Sequence, residues 1–206
     1  MMKLIKIIKT TYNALYIYRA GKKVFVFKPS KNVEKEILAN KLAKILGIKT
    51  LKMEPYEIDG VKGIKMNYAT RSVLLANHKQ ELNKAHMRAL KNIILFDIWI
   101  GNKDRHTANI FVGKELIAFD HEKIFNKGRA RQFIKLDVGR RLNDNFVDVV
   151  EKLIDKRLSA KEVLIKLGFD EEDFPVIRKD DIKNVVKDEG LLEFLYSRTD
   201  FSKIEF

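Results

Sequence analysis

Apolar and polar positions alternate with a period of two from Leu4 to Lys28. This predicts strands over 4–9, 14–19 and 23–28, with Ala20-Gly21-Lys22 turning the last two. In the third strand Val24, Val26 and Lys28 point one way and Phe25 and Phe27 the other. A lysine that ends an apolar strand face needs a partner. The period then lengthens. Asn32 is placed to cap a helix, Glu34 sits in its first turn where the dipole favours a carboxylate, and Leu38, Leu42, Ile45 and Leu46 form its stripe. Gly47 ends it. Strands over 51–58 and 61–68 flank Asp59-Gly60, a hairpin signal. Residues 70–81 show no period.

The second half reads mostly as helix. Residues 84–100 place Leu90, Ile93 and Ile94 on one face, and Asp97 continues that face. A buried aspartate must be hydrogen-bonded or paired. Arg105 and the amides of the following loop are within reach; a structural aspartate satisfied elsewhere is the other reading. Gly101 ends the helix. Residues 110–112 and 116–119 predict a short hairpin with Asn109 and Asp120 at its ends, bringing two oxygen donors to one end of paired strands. Asp144 is placed to cap a helix with Phe146, Val149, Val150, Leu153 and Ile154 on one face. Ser159 and Glu162 form a capping box before Val163, Leu164 and Leu167, stopped by Gly168. An acidic turn over 170–175 precedes two short helices beginning near Asp181 and Gly190.

Composition narrows the classes. The 206 residues, 46% hydrophobic, suffice for one core or two small lobes sharing a cleft, and no apolar run reaches the length of a membrane span. The N-terminal apolar residues are broken by lysines, unlike a signal peptide. The absence of cysteine excludes a disulfide framework and thiolate metal sites, and with the rest points to a cytoplasmic protein. Lys and Arg number 41 against 28 Asp and Glu, a net charge of +13. That favours an anionic partner; a general Lys- and Ile-rich bias of the kind common in thermophiles explains it equally well.

The chemistry concentrates in FDIWIGNKDRHTANIFVGKELIAFDHEKIF, residues 96–125. Phosphoryl transfer needs a carboxylate that orients and accepts the proton of an attacking hydroxyl, and an amide oxygen and second carboxylate to hold Mg²⁺ on the phosphates. Asp104 and Asn109 are five positions apart, the base-to-amide spacing of a kinase catalytic loop, and Asp120 opens Asp120-His121-Glu122 where a metal carboxylate is expected. Asn102, Asp104, Arg105, His106 and Asn109 together resemble the N-x-D-R-H-x-x-N loop of the HipA-like and phosphatidylinositol 3- and 4-kinase group of atypical kinases.

That resemblance implies an α+β, bilobal protein-kinase-like fold: a small strand-rich lobe over 1–68 and a mainly helical lobe over 69–206. It implies ATP with Mg²⁺ in the cleft, Asp104 as base, His106 near the transferred phosphate, and Asn109 and Asp120 on the metal. Lys28 would hold phosphates and pair with an acid on the next helix. The run from Glu36 to Ala43, similar to the HipA-like helix, makes that acid Glu36, with Glu34 as competitor. The chain would cross between lobes near Met66-Asn67-Tyr68-Ala69, with backbone at Met66 and Tyr68 binding adenine. The acceptor it favours is protein Ser/Thr, the protein itself included; the phosphatidylinositol branch would make it lipid.

Three features depart from the pattern: no Gly-rich turn near 10–13, Glu122 where Gly is usual, and a short C-terminal part. A pseudokinase that binds nucleotide without transfer is therefore the first alternative. A basic nucleic-acid module, resting on the charge, Tyr12, Tyr16 and Tyr18 among lysines, and the six basic residues of 126–141, is not favoured, because it leaves the Asp104, Asn109, Asp120 spacing unexplained. Metal-dependent hydrolysis through His106, His121, Asp104 and Asp120 is weaker still, since the histidines fall on separate elements.

Overall fold

The computed structural model describes residues 2–9, 14–68, 72–153 and 156–206. The expectations at Thr10–Asn13, at Ala69 and at Ile154 lie outside the described residues. Strands β1 (Met2–Lys9), β2 (Ala14–Ala20), β3 (Lys23–Pro29), β4 (Met53–Ile58) and β5 (Val61–Asn67) form one antiparallel sheet in the order β1-β2-β3-β5-β4. The alternation in β3 sorts its two faces as expected. Phe25 stacks on Tyr18 of β2 at 5.6 Å and Phe27 lies 6.4 Å from Tyr16, with Tyr56 edge-on to both. On the opposite face Val26 joins Leu51, Ile64 and Met66, and Lys28 stands across from Ile64 in the register. Asp59 and Gly60 turn β4 into β5 with φ of 50° and 78°, the doubly left-handed geometry that two-residue hairpins favour.

Helix α1 (Val33–Ile45) packs on β4 and β5, with the stripe read from its leucines turned to the core. Ala39, Leu42 and Ala43 are buried together with Glu36 and Asn40, whereas Leu38, Ile45 and Leu46 are only half-buried. Ala39 and Ala43 join the core of the helical part, and the Asn40 amide donates to the Leu51 carbonyl at 2.8 Å. Asn32 sits at the N-cap but its side chain makes no capping bond; the Ser30 hydroxyl instead accepts the Asn32 N–H at 3.0 Å.

Within 70–81, where no period shows, β6 (Val73–Leu74) joins β7 (Ile110–Val112) and β8 (Leu116–Ala118) in a three-stranded sheet, β6-β7-β8. Two residues are too few to display alternation. This sheet meets the first through the stretch after α1: Thr50 bridges to Ala118, and Phe111 and Phe119, stacked at 4.5 Å, pack on the Leu51, Ile64, Met66 cluster.

Helix α2 (Lys84–Ile100) is the axis of the helical part, with every residue from Ile93 to Ile100 buried. Asn83 caps it by accepting the His86 N–H at 2.9 Å. At the other end Arg198 donates to the carbonyls of Ile98 and Trp99 (3.1 and 3.0 Å), groups with no partner inside the helix, and the Trp99 indole donates to Leu195. Around α2 pack α3 (Leu136–Gly139), α4 (Phe146–Leu153), α5 (Ala160–Lys166), α6 (Lys179–Val185) and α7 (Glu189–Ser197). Phe146, Val150 and Leu153 are buried as expected, while Val149 is half-buried. The Ser159–Glu162 capping box forms. The basic 126–141 segment is anchored in the core by Ala130, Phe133, Ile134 and Val138. No helix among the described residues is long and apolar enough to cross a membrane.

Candidate active site

Gly101 ends α2 in the left-handed region (φ 63°), and a Cβ there would meet the Asn126 backbone 2.5 Å away. The chain beyond it is held by one buried ion pair. Arg105 Nε and Nη2 reach the two Asp97 oxygens at 2.8 and 3.2 Å, with both side chains 1% exposed. The Asn102 amide donates to Asp97 Oδ1 at 2.7 Å. Arg105 Nη1 then donates to the carbonyls of Asn109 (2.9 Å) and Phe119 (2.7 Å), tying the start of β7 to the end of β8. Burial raises the Asp97 carboxyl pKa, against the guanidinium and the Asn102 amide. Asp97 is thus the brace between helix and loop, through Arg105 and a loop amide together.

This brace sets Asp104 and Asn109. The Asp104 N–H donates to Asn102 Oδ1 at 3.1 Å, and the Asn109 side-chain amide donates to the Asp104 carbonyl at 3.1 Å. With its nitrogen so anchored, Asn109 offers its oxygen as the free end. The Asp104 carboxylate meets Lys123 Nζ at 3.0 Å and Lys135 Nζ at 4.0 Å, one on each oxygen. The 126–141 segment is pinned beside it, because Asp137 Oδ2 accepts from both Thr107 N–H and Thr107 Oγ1 (3.0 and 2.9 Å). His106, half-buried, precedes that turn.

Across the cleft Lys28 is buried (4% exposed) at the centre of three carboxylates. Its Nζ lies 3.2 Å from both Glu36 oxygens and 2.8 Å from Asp120 Oδ1, and it also contacts Glu122. Glu36, 1% exposed and held by the Ser30 hydroxyl at 2.9 Å, is the acid that meets the lysine; Glu34 is exposed. An ammonium has three N–H donors, and three carboxylates engage them. Burial pulls the Lys28 pKa down, but Asp120 and Glu36 outweigh it and hold it above the ordinary lysine range. Glu36 is pushed up to about 7, by burial first, with Asp120 and Glu122 reinforcing and Lys28 opposing. The two partners of one ion pair therefore shift the same way. Burial of Glu36 is the first cause, and the excess of negative charge adds to it, because Glu36 shares its single cation with two other anions.

Asp120 adopts φ 59°, left-handed, which turns its carboxylate back toward Lys28 at the end of β8. Oxygens of Glu36, Asp120 and Glu122 lie within 4.8 Å of one another, a donor set of hard oxygens that suits Mg²⁺, with Asn109 beyond it on the braced loop. No histidine belongs to such a group among the described residues. His121 is fully buried, edge-on to Phe96 at 5.7 Å, with neither ring nitrogen hydrogen-bonded. Burial first, then Arg105 and Lys28, lower its pKa far below the usual value, so the ring is neutral. Met66 is buried in the cluster between the two sheets and Tyr68 is exposed just past β5. The sequence marks Glu122 as a departure without a contact, gives Lys123 no role, and gives Lys135 only its place in the basic 126–141 segment. The sole prior signal was a carboxylate in place of glycine and a basic run.

No family model matches the sequence, and no curated protein resembles it in sequence. Among solved structures the chain is similar to the proinflammatory kinase CtkA of Helicobacter pylori, with a TM-score of 0.58 and 14% identity, over 98% of this chain and 92% of that one. The granulovirus kinase PK-1 of Cydia pomonella granulovirus gives a TM-score of 0.45 and 17% identity, over 62% and 56%. The first of these likenesses establishes the α+β kinase-like fold, with a strand-rich N-terminal sheet and a helical remainder.

Proposed function

We propose that the protein is an ATP- and Mg²⁺-dependent phosphotransferase of the atypical-kinase kind, HipA-like, acting on a protein Ser/Thr hydroxyl. The observation that carries this is the meeting of Lys28, Glu36 and Asp120, 92 positions apart in sequence between the first and last, beside the braced Asp104–Asn109 loop. Lys28 holds nucleotide phosphates, positioned by Glu36. Asn109 and Asp120 hold the metal, which when bound supplies charge neutralisation on the phosphates. Asp104 orients the acceptor hydroxyl and takes its proton, and His106 stands beside the transferred group. Backbone at Met66–Tyr68 receives adenine.

The test follows radiolabelled ATP with the protein alone, with lysate and with phosphoinositide vesicles. A group acting only on the acceptor contributes to the transition state and little to nucleotide affinity. Asp104→Ala is expected to bind ATP near the wild-type level and to transfer about a hundredfold more slowly or worse. Transfer by Asp104→Ala at the wild-type rate would remove Asp104 from its role. A pseudokinase is the second reading, favoured by Glu122 on Lys28, which leaves that ammonium no free donor; wild type that binds ATP but labels nothing would select it.

A further inference from the structure

We propose that the free edge of β1 takes up an extended segment of a protein partner in which carboxylates alternate with apolar side chains. Strand β1 is the end strand of its sheet, and every residue from Met2 to Lys9 is exposed. Five of the eleven exposed large hydrophobic side chains among the described residues lie on it: Met2, Leu4, Ile5, Ile7 and Ile8, each 37% to 47% exposed. Its outward N–H and C=O groups have no backbone partner among the described residues. A long apolar edge of this kind is a template for a further strand.

A β-bulge sorts the side chains of that edge. Lys3 and Lys6 are three positions apart, as are Leu4 and Ile7, and a regular strand would turn each pair to opposite faces. The register shifts between Leu4 and Lys6, and this restores each pair to one face. Lys3 stands across from Arg19 and Lys6 from Ile17, so one face gathers the cations Lys3, Lys6 and Arg19. Met2, Leu4 and Ile7 stand across from Ala20, Tyr18 and Tyr16, and extend the aromatic cluster of Phe25 and Phe27 on the other face. No acid in these strands balances the first face: residues 1–33 hold eight Lys and Arg and no Asp or Glu.

An alternating strand answers both faces at once. Its carboxylates meet Lys3 and Lys6, its apolar residues cover Met2, Leu4 and Ile7, and its backbone completes the ladder. The bulge is no obstacle, because consecutive residues of β2, Arg19 back to Tyr16, already pair with Lys3, Leu4, Lys6 and Ile7 on the inner side. A second copy fits this place poorly, since two β1 strands would set their lysines beside one another with no anion between. An anionic bilayer would neutralise the lysines but leave the edge N–H and C=O groups without partners. A nucleic acid finds aliphatic side chains here where stacking needs rings.

The experiment uses the full chain and a labelled peptide of about ten residues alternating Glu and Val. Parallel arms carry Gln in place of Glu, or N-methyl groups on alternate backbone amides. Fluorescence anisotropy is expected to show saturable binding of the Glu peptide at low salt, about tenfold or more tighter than the Gln peptide and weakening as salt rises. Hydrogen exchange at the β1 amides is expected to slow when that peptide binds, and N-methylation to abolish binding. The double variant Lys3→Glu, Lys6→Glu, verified by its melting temperature, is expected to lose the Glu peptide and gain a Lys–Val one. Equal affinity for Glu and Gln peptides overturns the proposal, and so does undiminished binding of the N-methylated one. Binding of phosphatidylserine vesicles or single-stranded DNA with no peptide bound overturns it in favour of those partners, and a dimer in sedimentation that the double variant dissolves assigns the edge to a second copy. None of these readings involves ATP, so this proposal and the transferase reading stand or fall separately.

Discussion

Replacing Glu122 by Gln tests the Lys28 cluster directly. All three donors of Lys28 face carboxylates, so a phosphate can reach the ammonium only by displacing one of them. Glu36 is buried and held by Ser30, and the proposed reading commits Asp120 to the metal, so in metal-free protein the test removes Glu122, whose side chain is 24% exposed. A hydrogen bond between charged groups contributes about 1.5–3 kcal/mol, and the partial exposure of Glu122 reduces this to about 1–2 kcal/mol. Without the carboxylate that cost disappears, which corresponds to about 5- to 30-fold tighter nucleotide binding. Calorimetric titration of ATP in EDTA reads the effect, with thermal melting to verify that the variant folds. In Mg²⁺ the gap is expected to narrow, because the cation gives the displaced carboxylate a partner. A folded Glu122→Gln protein that binds ATP in EDTA no tighter than wild type refutes the displacement argument.

The other predictions concern the metal, the brace and the buried histidine. Asp120→Asn is expected to abolish the Mg²⁺-dependent part of ATP stabilisation in a thermal shift while the unliganded melting temperature holds; unchanged stabilisation would take Asp120 off the metal. Asp97→Asn leaves Arg105 buried without a counter-charge, and is expected to cost about 3–5 kcal/mol in denaturant unfolding; a loss under about 1 kcal/mol would mean the pair is replaceable by the amide alone. His121→Phe removes two orphaned nitrogens and is expected to stabilise by about 1–2 kcal/mol. The neutral His121 of the fold has its pKa below the usual 6.5, so the unfolded chain takes up a proton first, and wild-type stability is lost as pH falls below that value by up to about 1.4 kcal/mol per unit. Glu36, shifted upward, acts with the opposite sign between its ordinary range and about 7. The difference between wild type and His121→Phe isolates the histidine, and a difference that does not change with pH would show that its ring takes up a proton in the fold as readily as in the unfolded chain.

Short-range periodicity carried the parts of the fold that depend on it. Alternation in β3 separated Lys28 from Phe25 and Phe27, and the stripe of α2 ran on to Asp97, whose partner then lay within the next eight residues. In α1 the stripe found the core side, with Leu42 fully buried and Leu38, Ile45 and Leu46 packed against the core, but it missed Ala39 and Ala43, whose small side chains carry little apolar signal. Glu36 came from the likeness of its helix to a known one; a carboxylate at that position has no apolar period to betray it. What stayed hidden was long-range. The contact of Glu122 with Lys28 crosses two sheets, and the seating of Lys135 on Asp104 depends on Asp137 reaching Thr107, 30 positions earlier. The buried Phe133 and Ile134 lie inside a run whose six basic residues are its most visible feature.

The charge of the cleft bears on what it is built to receive. In a simple ion pair the acid is pulled down by its lysine; here Glu36 is pushed up to about 7 although Lys28 lies 3.2 Å from both its oxygens. Burial is the largest cause, and Asp120 and Glu122 add to it, because three carboxylates share one ammonium. Such a cluster reaches balance near neutral pH in two ways: one carboxyl keeps a proton, or a divalent cation enters. On the proposed reading the second would admit phosphate as well, because a cation held by Asp120 would compete with Lys28 for that carboxylate and leave the ammonium a donor. On the proposed reading, metal and nucleotide therefore bind with positive coupling, each removing the obstacle to the other, and Glu122 sets how far the protein resists nucleotide that arrives without its metal.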